Sequence, residues 1–511
     1  MKDAIYVLDF GSQYSHLITR RIRELGVFAE LAPPNIDLAK LKEASGIILS
    51  GGPQNLSDSN ALTVDKKIFD LKVPILGICY GMQLTAFMLG GKVKAGKASE
   101  YGSTKITLKT TSKVFKGLSK DQIVWMSHGD QVTKLPKGFV NIANSHNCLI
   151  AGMENAKKKI YCLQFHPEVK HTVNGKTILE NFLKITGVKS NWSMQNFIGD
   201  SIINIRKEIG NDRAVCALSG GVDSAIAATM VYRAIGKNLT CIYVDTGLMR
   251  AGETEQLKKI FKNHMKMNLR VIYAEKEFLK KLKGITNPEK KRKTIGELFI
   301  RIFEKEARKL PRTKWLVQGT LYTDRVSSGV SSGGKHTAVI KSHHNVGGLP
   351  EKFGFKLIEP LRDLYKYEVR KVGDKLNLPK RITYRMPFPG PGLAVRIIGE
   401  VTKEKLDILR LADKIVTEEM DKTDFVKDPQ FFYFVAIPDI RSVGLQGDAR
   451  TYGQPIILRA VETAEFLTAD WVHLPYSLLE KISTRITNEV KGINRVVYDI
   501  TSKPPGTVEW E

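Results

Sequence analysis

Pro74-Ile75-Leu76-Gly77-Ile78-Cys79-Tyr80-Gly81-Met82-Gln83 reads as a buried strand running straight into a helix, with a cysteine at the join. Ile75, Leu76 and Ile78, after a proline and around Gly77, fit a strand covered on both faces. Gly77 and Gly81 flank Cys79, and a sharp strand-to-helix turn that projects a nucleophile needs small neighbours. The helix N-terminus favours a thiolate at Cys79. The next backbone amide, that of Tyr80, can donate to an oxyanion. A second donor is available at Gly52 in Ser50-Gly51-Gly52-Pro53, another strand-end loop. A plain buried cysteine is the competing account of Cys79. The segment Gln164-Phe165-His166-Pro167-Glu168 argues against it. Pro167 excludes helix, so His166 and Glu168 are expected near-extended and on one side of the chain. Glu168 then fixes the His166 tautomer, and His166 accepts the Cys79 proton.

Working outward, apolar runs at 5–8, 46–49, 75–78 and 160–165 alternate with helical stretches such as 15–25. After a polar linker near 186–195, a second series begins. Strand 214–218 leads into a Gly-rich turn and an apolar helix at 225–235, and strands at 240–244, 269–273 and 315–318 follow. Alternating strands and helices predict parallel sheets with right-handed crossovers. Beyond Met386 comes the rigid Pro387-Phe388-Pro389-Gly390-Pro391-Gly392, then an α+β texture with strands near 432–437, 455–461 and 496–500. The predicted fold is α/β: two successive doubly wound parallel-sheet domains, 1–190 and 191–386, then a smaller α+β domain at 387–511.

In the second domain Leu218-Ser219-Gly220-Gly221-Val222-Asp223-Ser224 lies between strand and helix. Backbone amides of such a loop, with the helix N-terminus behind them, suit phosphate. No Gly-x-x-x-x-Gly-Lys is present, so this is not a Walker loop. Ser219, Gly220, Gly221, Val222, Asp223 and Ser224 are candidate ATP contacts, and Asp223 a candidate Mg²⁺ ligand. Val244, at the end of the adjacent strand, is a candidate adenine contact.

These motifs carry resemblances. Gly77, Cys79, Gly81 and Gln83 with His166-Pro167-Glu168 resemble the class I glutamine amidotransferases over residues 1–190. That implies attack of Cys79 on the glutamine amide, a glutamyl thioester and release of ammonia, with Gln83 and Ser127-His128-Gly129-Asp130 holding glutamine. The Ser-Gly-Gly-x-Asp-Ser loop resembles the ATP pyrophosphatases, which cut ATP between the α and β phosphates. Together with Gly247-Leu248-Met249-Arg250, Gly319-Thr320-Leu321-Tyr322, the segment 341–350, 387–393 and the C-terminal stretch 494–511, the whole chain resembles the glutamine-hydrolysing GMP synthase family. The resemblance implies ATP-dependent adenylation of XMP, attack by ammonia, and release of GMP, AMP and pyrophosphate. It places XMP contacts at Arg292, Arg396, Lys503 and Glu509, Mg²⁺ with ATP and no prosthetic group, and it makes 387–511 a homodimerisation domain. Arg292 is expected in a mobile lid, against the alternative of a solvated basic turn at 290–293. The chain departs from the family at Thr323-Asp324-Arg325-Val326-Ser327-Ser328, where a Pro and a Glu are missing and an Arg is added. Neutral drift and a partly impaired synthetase both remain open.

Bulk properties fit. No apolar run approaches the roughly 18 residues of a membrane span. Five scattered cysteines without a Cys-x-x-Cys pair argue against a disulfide framework or zinc and for a cytoplasmic protein. The net charge of +26 is dispersed, which favours a basic surface over a nucleic-acid stripe. A tRNA-adenylating enzyme with the same pyrophosphate loop and a non-catalytic nucleotide binder are the rival functions.

Overall fold

The computed structural model describes residues 3–327, 354–428, 430–446, 448–463 and 468–511. The segment 341–350 and Ser328 lie outside the described residues. The chain forms two compact units. One contains the described residues up to 197; the other contains 198–324 and the described residues beyond 353.

The first unit is built on nine strands: β1 Ile5–Leu8, β2 Ala29–Ala32, β3 Gly46–Leu49, β4 Ile75–Ile78, β5 Lys92–Leu108, β6 Asp121–Lys134, β7 Val140–Ser145, β8 Gly152–Asn155 and β9 Ile160–Leu163. Their order in the sheet is β2-β1-β3-β4-β9-β8-β7-β5-β6. The half from β2 to β9 is parallel, as expected from its continuous apolar runs. The half from β9 to β6 is antiparallel and was not anticipated. Leu8, Phe10, Leu49, Ile75, Tyr80 and Met82 belong to one apolar core of this unit.

The second unit starts with a fully parallel sheet of β10 Arg213–Ala217, β11 Leu239–Asp245, β12 Asn268–Tyr273, β13 Thr313–Val317 and β14 Lys356–Ile358, ordered β12-β11-β10-β13-β14. A further sheet carries β15 Phe431–Ala436, β16 Ser442–Gln446, β17 Ala449–Glu462, β18 Asp470–Trp471 and β19 Ile493–Asp499. There β17 pairs antiparallel with β15, β16 and β18, and parallel with β19. The packing runs across position 386. Val215 and Leu316 share one apolar cluster with Leu393, Leu406, Val435 and Ile493.

Candidate active sites

The first site is built on the elbow. β4 ends at Ile78, Cys79 caps the helix Tyr80–Met88, and its backbone takes φ 52° and ψ −107°. That left-handed conformation is costly for a residue with a Cβ. Neighbours hold it there: the Cys79 amide donates to Leu163 O at 2.7 Å, and the Gly81 amide to Ser50 O at 3.0 Å. The glycines are required by contact. A Cβ on Gly77 would lie 2.8 Å from Gly81 O, and one on Gly81 would overlap the Leu49 carbonyl.

His166 and Glu168 follow β9 and are buried. His166 Nδ1 and Glu168 Oε1 are 2.7 Å apart. The contact is made over a turn at Pro167–Glu168 rather than along the extended segment expected from Pro167. The Thr172 hydroxyl donates to His166 O at 2.6 Å, and Arg21 Nε to Glu168 O at 3.1 Å, which anchor the turn. Burial pushes the His166 imidazole toward neutrality, but the Glu168 carboxylate and hydrogen bonding to Cys79 and Glu168 outweigh it and hold the ring well above its usual range. A ring so poised can keep the proton that the sulfur gives up and pass it to a leaving amine.

The Gly51-Gly52 loop borders this triad. A Cβ on Gly51 would stand 3.2 Å from His166 Cε1, and one on Gly52 would stand 2.9 Å from Phe10 O and 3.3 Å from Tyr80 Cγ. The Tyr80 side chain itself is core: it packs on Phe10 and donates to Leu62 O, and burial pushes its phenol up to about 12. Any role in the site therefore falls to its backbone amide. Gln83 Nε2 donates to Asp130 O at 2.8 Å. His128 Nδ1 lies 3.0 Å from the same carbonyl, and its Nε2 lies 3.4 Å from Glu100 Oε2. One residue escaped the sequence reading. Gln164, fully buried, reaches Cys79 Sγ with Nε2 at 3.7 Å and meets Gln83 through Oε1 at 3.4 Å. A polar residue closing an apolar strand two positions before His166 was the available signal.

Among the described residues, Glu100, His128 and Cys148 bring three ligating atoms together. Their chemistry is that of a hydrogen-bonded network. Ser145 donates to Glu100 at 2.8 Å, and the Cys148 thiol, pushed up to about 12 by burial, donates to Ile150 O at 3.3 Å.

The second site lies at the start of the helix Val222–Ile235. Gly220 takes φ 79°, and Gly221 caps the helix. Ser219 and Ser224 hydroxyls are 3.0 Å apart, and Ser224 also donates to Gly221 O at 3.1 Å. Two cations unmarked in the sequence shape this loop. Arg385 Nη1 donates to Gly220 O at 2.6 Å while pairing with Glu253. Lys366 Nζ lies 2.7 and 2.6 Å from the two Asp223 oxygens. Asp223 is thus an oriented, partly exposed carboxylate. It fits one oxygen ligand of a Mg²⁺ whose other ligands would be phosphates and water. Val244 contributes its side chain to the core cluster.

The residues assigned to XMP are arranged as follows. Arg396 is fully buried and forms a two-pronged pair with Glu509, at 3.2 and 2.9 Å. Its guanidinium stands over the Phe388 and Phe434 rings, 5.2 and 4.6 Å from their centroids. Lys503 exchanges backbone hydrogen bonds with Ala469. Arg292 lies on the helix Pro288–Ala307, not in a loop, and its Nη2 donates to Glu511 O at 2.5 Å. The solvated-turn alternative fails at its neighbour Lys291, which is fully buried. Arg459, also missed, is buried and gathers the tail: Nε donates to Val508 O, Nη2 to Thr507 O, and Nη1 to Thr501 O, each at 2.9 Å.

Residues 6–186 match the family model of class-I glutamine amidotransferase, and residues 418–510 that of the GMP synthase C-terminal domain. The chain is 54% identical to the glutamine-hydrolysing GMP synthase of Acetivibrio thermocellus, covering 100% of this chain and 99% of that one. It is 51% identical to that of Clostridium perfringens and 53% identical to that of Carboxydothermus hydrogenoformans, with 100% of both chains covered in each case.

Proposed function

Because the chain belongs to the glutamine-hydrolysing GMP synthase family, we propose that it amidates XMP to GMP with glutamine as nitrogen donor and ATP cleaved to AMP and pyrophosphate. The observation that supports a working first half is the buried Cys79–His166–Glu168 constellation on a strained elbow. Cys79 attacks the glutamine carboxamide. The tetrahedral oxyanion is received by the Tyr80 and Gly52 amides, and His166 protonates the departing ammonia. Water then cleaves the thioester, with His166 as base, releasing glutamate. Gln83 and His128 orient the Asp130 segment that holds glutamine.

In the synthetase half, the Ser219–Ser224 loop takes the ATP phosphates. Lys366 and Arg385 add positive charge beside it, and Asp223 would hold a Mg²⁺, whose charge would offset that of the departing pyrophosphate. Val244, whose side chain lies in the core, meets the adenine through its backbone at the end of β11. XMP is a phosphate monoester with about two negative charges; Arg292, Arg396 and Lys503 are matched to it in charge, and Glu509 to a base or ribose donor. Oxygen 2 of the base attacks the ATP α-phosphate, pyrophosphate leaves, and ammonia then displaces AMP. The functional division follows: residues 1–190 generate ammonia, 191–386 handle ATP and contribute Arg292 to the XMP site, and 387–511 supply the remaining XMP contacts and form a homodimer. Exposed Val443, Leu445 and Tyr452 on β16 and β17 support a surface covered by a second copy. Five free cysteines fit a cytoplasmic setting, and no helix among the described residues is long and apolar enough to cross a membrane. The test is mass detection of GMP, AMP, pyrophosphate and glutamate after incubation with XMP, MgATP and glutamine. Adenylated tRNA as the only product, or no product, would reject the proposal.

A further inference from the structure

Lys291 is the least expected residue of the second unit. It stands in a run of four basic residues near the start of a helix, yet it has no exposed surface. Placing an ammonium in the interior is costly unless each proton finds an acceptor. Here each does. Lys291 Nζ donates to Ile397 O at 2.6 Å, to Ala394 O at 3.4 Å and to Glu511 Oε2 at 2.5 Å. The first two carbonyls bracket Arg396 in the chain. The third partner stands two residues after Glu509. The other Glu511 oxygen accepts from the Gly399 amide at 3.4 Å. One buried ammonium therefore ties together the two segments that carry Arg396 and Glu509.

We propose that Lys291 is a positioning residue for the nucleoside monophosphate site, fixing Arg396 and Glu509 toward the ligand without touching it. The proposal rests on the assignment of Arg396 and Glu509 to XMP. A purely structural role would have been met by a methionine filling the same space, since a well-packed apolar group often stabilises as well as a buried ion pair. What the ammonium adds is direction: three acceptors from two chain segments held at fixed angles. Arg459 secures the preceding tail residues, so Lys291 need only orient the last turn of chain.

Burial pushes the Lys291 amine below the usual lysine range, against the pull of Glu511; Lys405 and Asp439 are the other charged groups that act on it. A lowered amine loses its charge at a lower pH than ordinary lysines. Affinity for XMP is then lost toward alkaline pH, in step with neutralisation of Lys291.

The test uses ammonia-dependent GMP formation by the full chain, which bypasses the glutaminase. Lys291→Met is expected to raise the KM for XMP at least about tenfold, the scale on which contacts supporting a binding group act. The KM for ATP and the glutaminase rate should stay within about twofold. The alkaline limb of kcat/KM for XMP should flatten. Glu511→Gln should raise the same KM, and the double variant should be no worse than Lys291→Met alone. An unchanged KM for XMP in folded Lys291→Met overturns the proposal, as does a proportional loss of every activity. If Lys291→Met does not fold, Glu511→Gln keeps the shape and carries the test: an unchanged KM for XMP overturns the proposal. Glu509→Gln separates the two levels. No effect there removes the XMP assignment itself, whereas a raised KM in Glu509→Gln with normal Lys291→Met and Glu511→Gln removes only the positioning role.

Discussion

At Cys79 two demands conflict. The sulfur must project from a tight turn, so the residue accepts φ 52°, where an L side chain is strained. Glycine would be comfortable there. Cys79→Gly should therefore be more stable than Cys79→Ala by about 1 kcal/mol, as urea denaturation would reveal, although neither variant hydrolyses glutamine. His166 gives a pH signature. Its imidazole is held above its usual value of 6.5, chiefly by Glu168 against the opposing effect of burial. A raised folded value means that the pairing stabilises fully below about pH 6.5, the unfolded value. That stabilisation is lost as pH rises through the folded value. The Tm difference between wild type and Glu168→Gln should be largest in acid and shrink at alkaline pH; a difference growing with pH would mean that His166 is neutral in the folded state. The grouping of Cys79, His166 and Glu168 was legible because each lies beside a local signal: glycines around a cysteine, a proline between His166 and Glu168. Lys366 and Arg385 were not, since each is a lone cation whose partner lies 143 or 165 residues away.

Elements were legible in proportion to how fully they are buried. The parallel strands β1, β3, β4, β10 and β11 are nearly continuous apolar runs and were located within a residue or two. The long strands β5 and β6 escaped. β6 alternates exposed and buried residues along much of its length, and β5 reads Lys-Val-Lys-Ala-Gly-Lys-Ala-Ser-Glu, so neither looks like a core element. The elbow is the element on which the first site depends. Gly81→Ala would drive a methyl group onto the Leu49 carbonyl. Overpacking of this kind costs about 1–3 kcal/mol. We expect that loss in urea unfolding, together with collapse of glutamine-dependent but not ammonium-dependent synthesis. Full glutaminase activity in Gly81→Ala would show that the elbow tolerates movement. In the second site, Lys366→Met should free the Asp223 carboxylate from its partner. A fall in ammonium-dependent turnover of about a hundredfold is expected if the pair stabilises charge developing on the phosphates. Near-normal turnover would reduce the pair to a surface contact.

On the scale of the whole molecule, the sequence division at 386 marks a change of texture but not of core, because Val215 and Ile493 pack in one cluster. The C-terminal tail is correspondingly part of the second unit's interior. Removing residues 503–511 would leave Lys291, Arg396 and Arg459 without Glu511, Glu509 and the tail carbonyls. Unpairing the buried Lys291 ammonium alone costs about 3–5 kcal/mol, while Arg459 keeps Asp499 and Arg396 a longer contact with Asp413. In calorimetry the transition of residues 198–511 should drop sharply while that of residues 1–197 stays in place. The central claim is that one half makes ammonia and the other spends ATP to use it. It is tested most directly by following nitrogen. Wild type and Cys79→Ala are each given XMP and MgATP with amide-¹⁵N glutamine or with ¹⁵N ammonium, and GMP is weighed by mass spectrometry. Wild type should carry the label from either source, and Cys79→Ala from ammonium alone. Labelled GMP from glutamine in Cys79→Ala, or none from ammonium, would contradict the account.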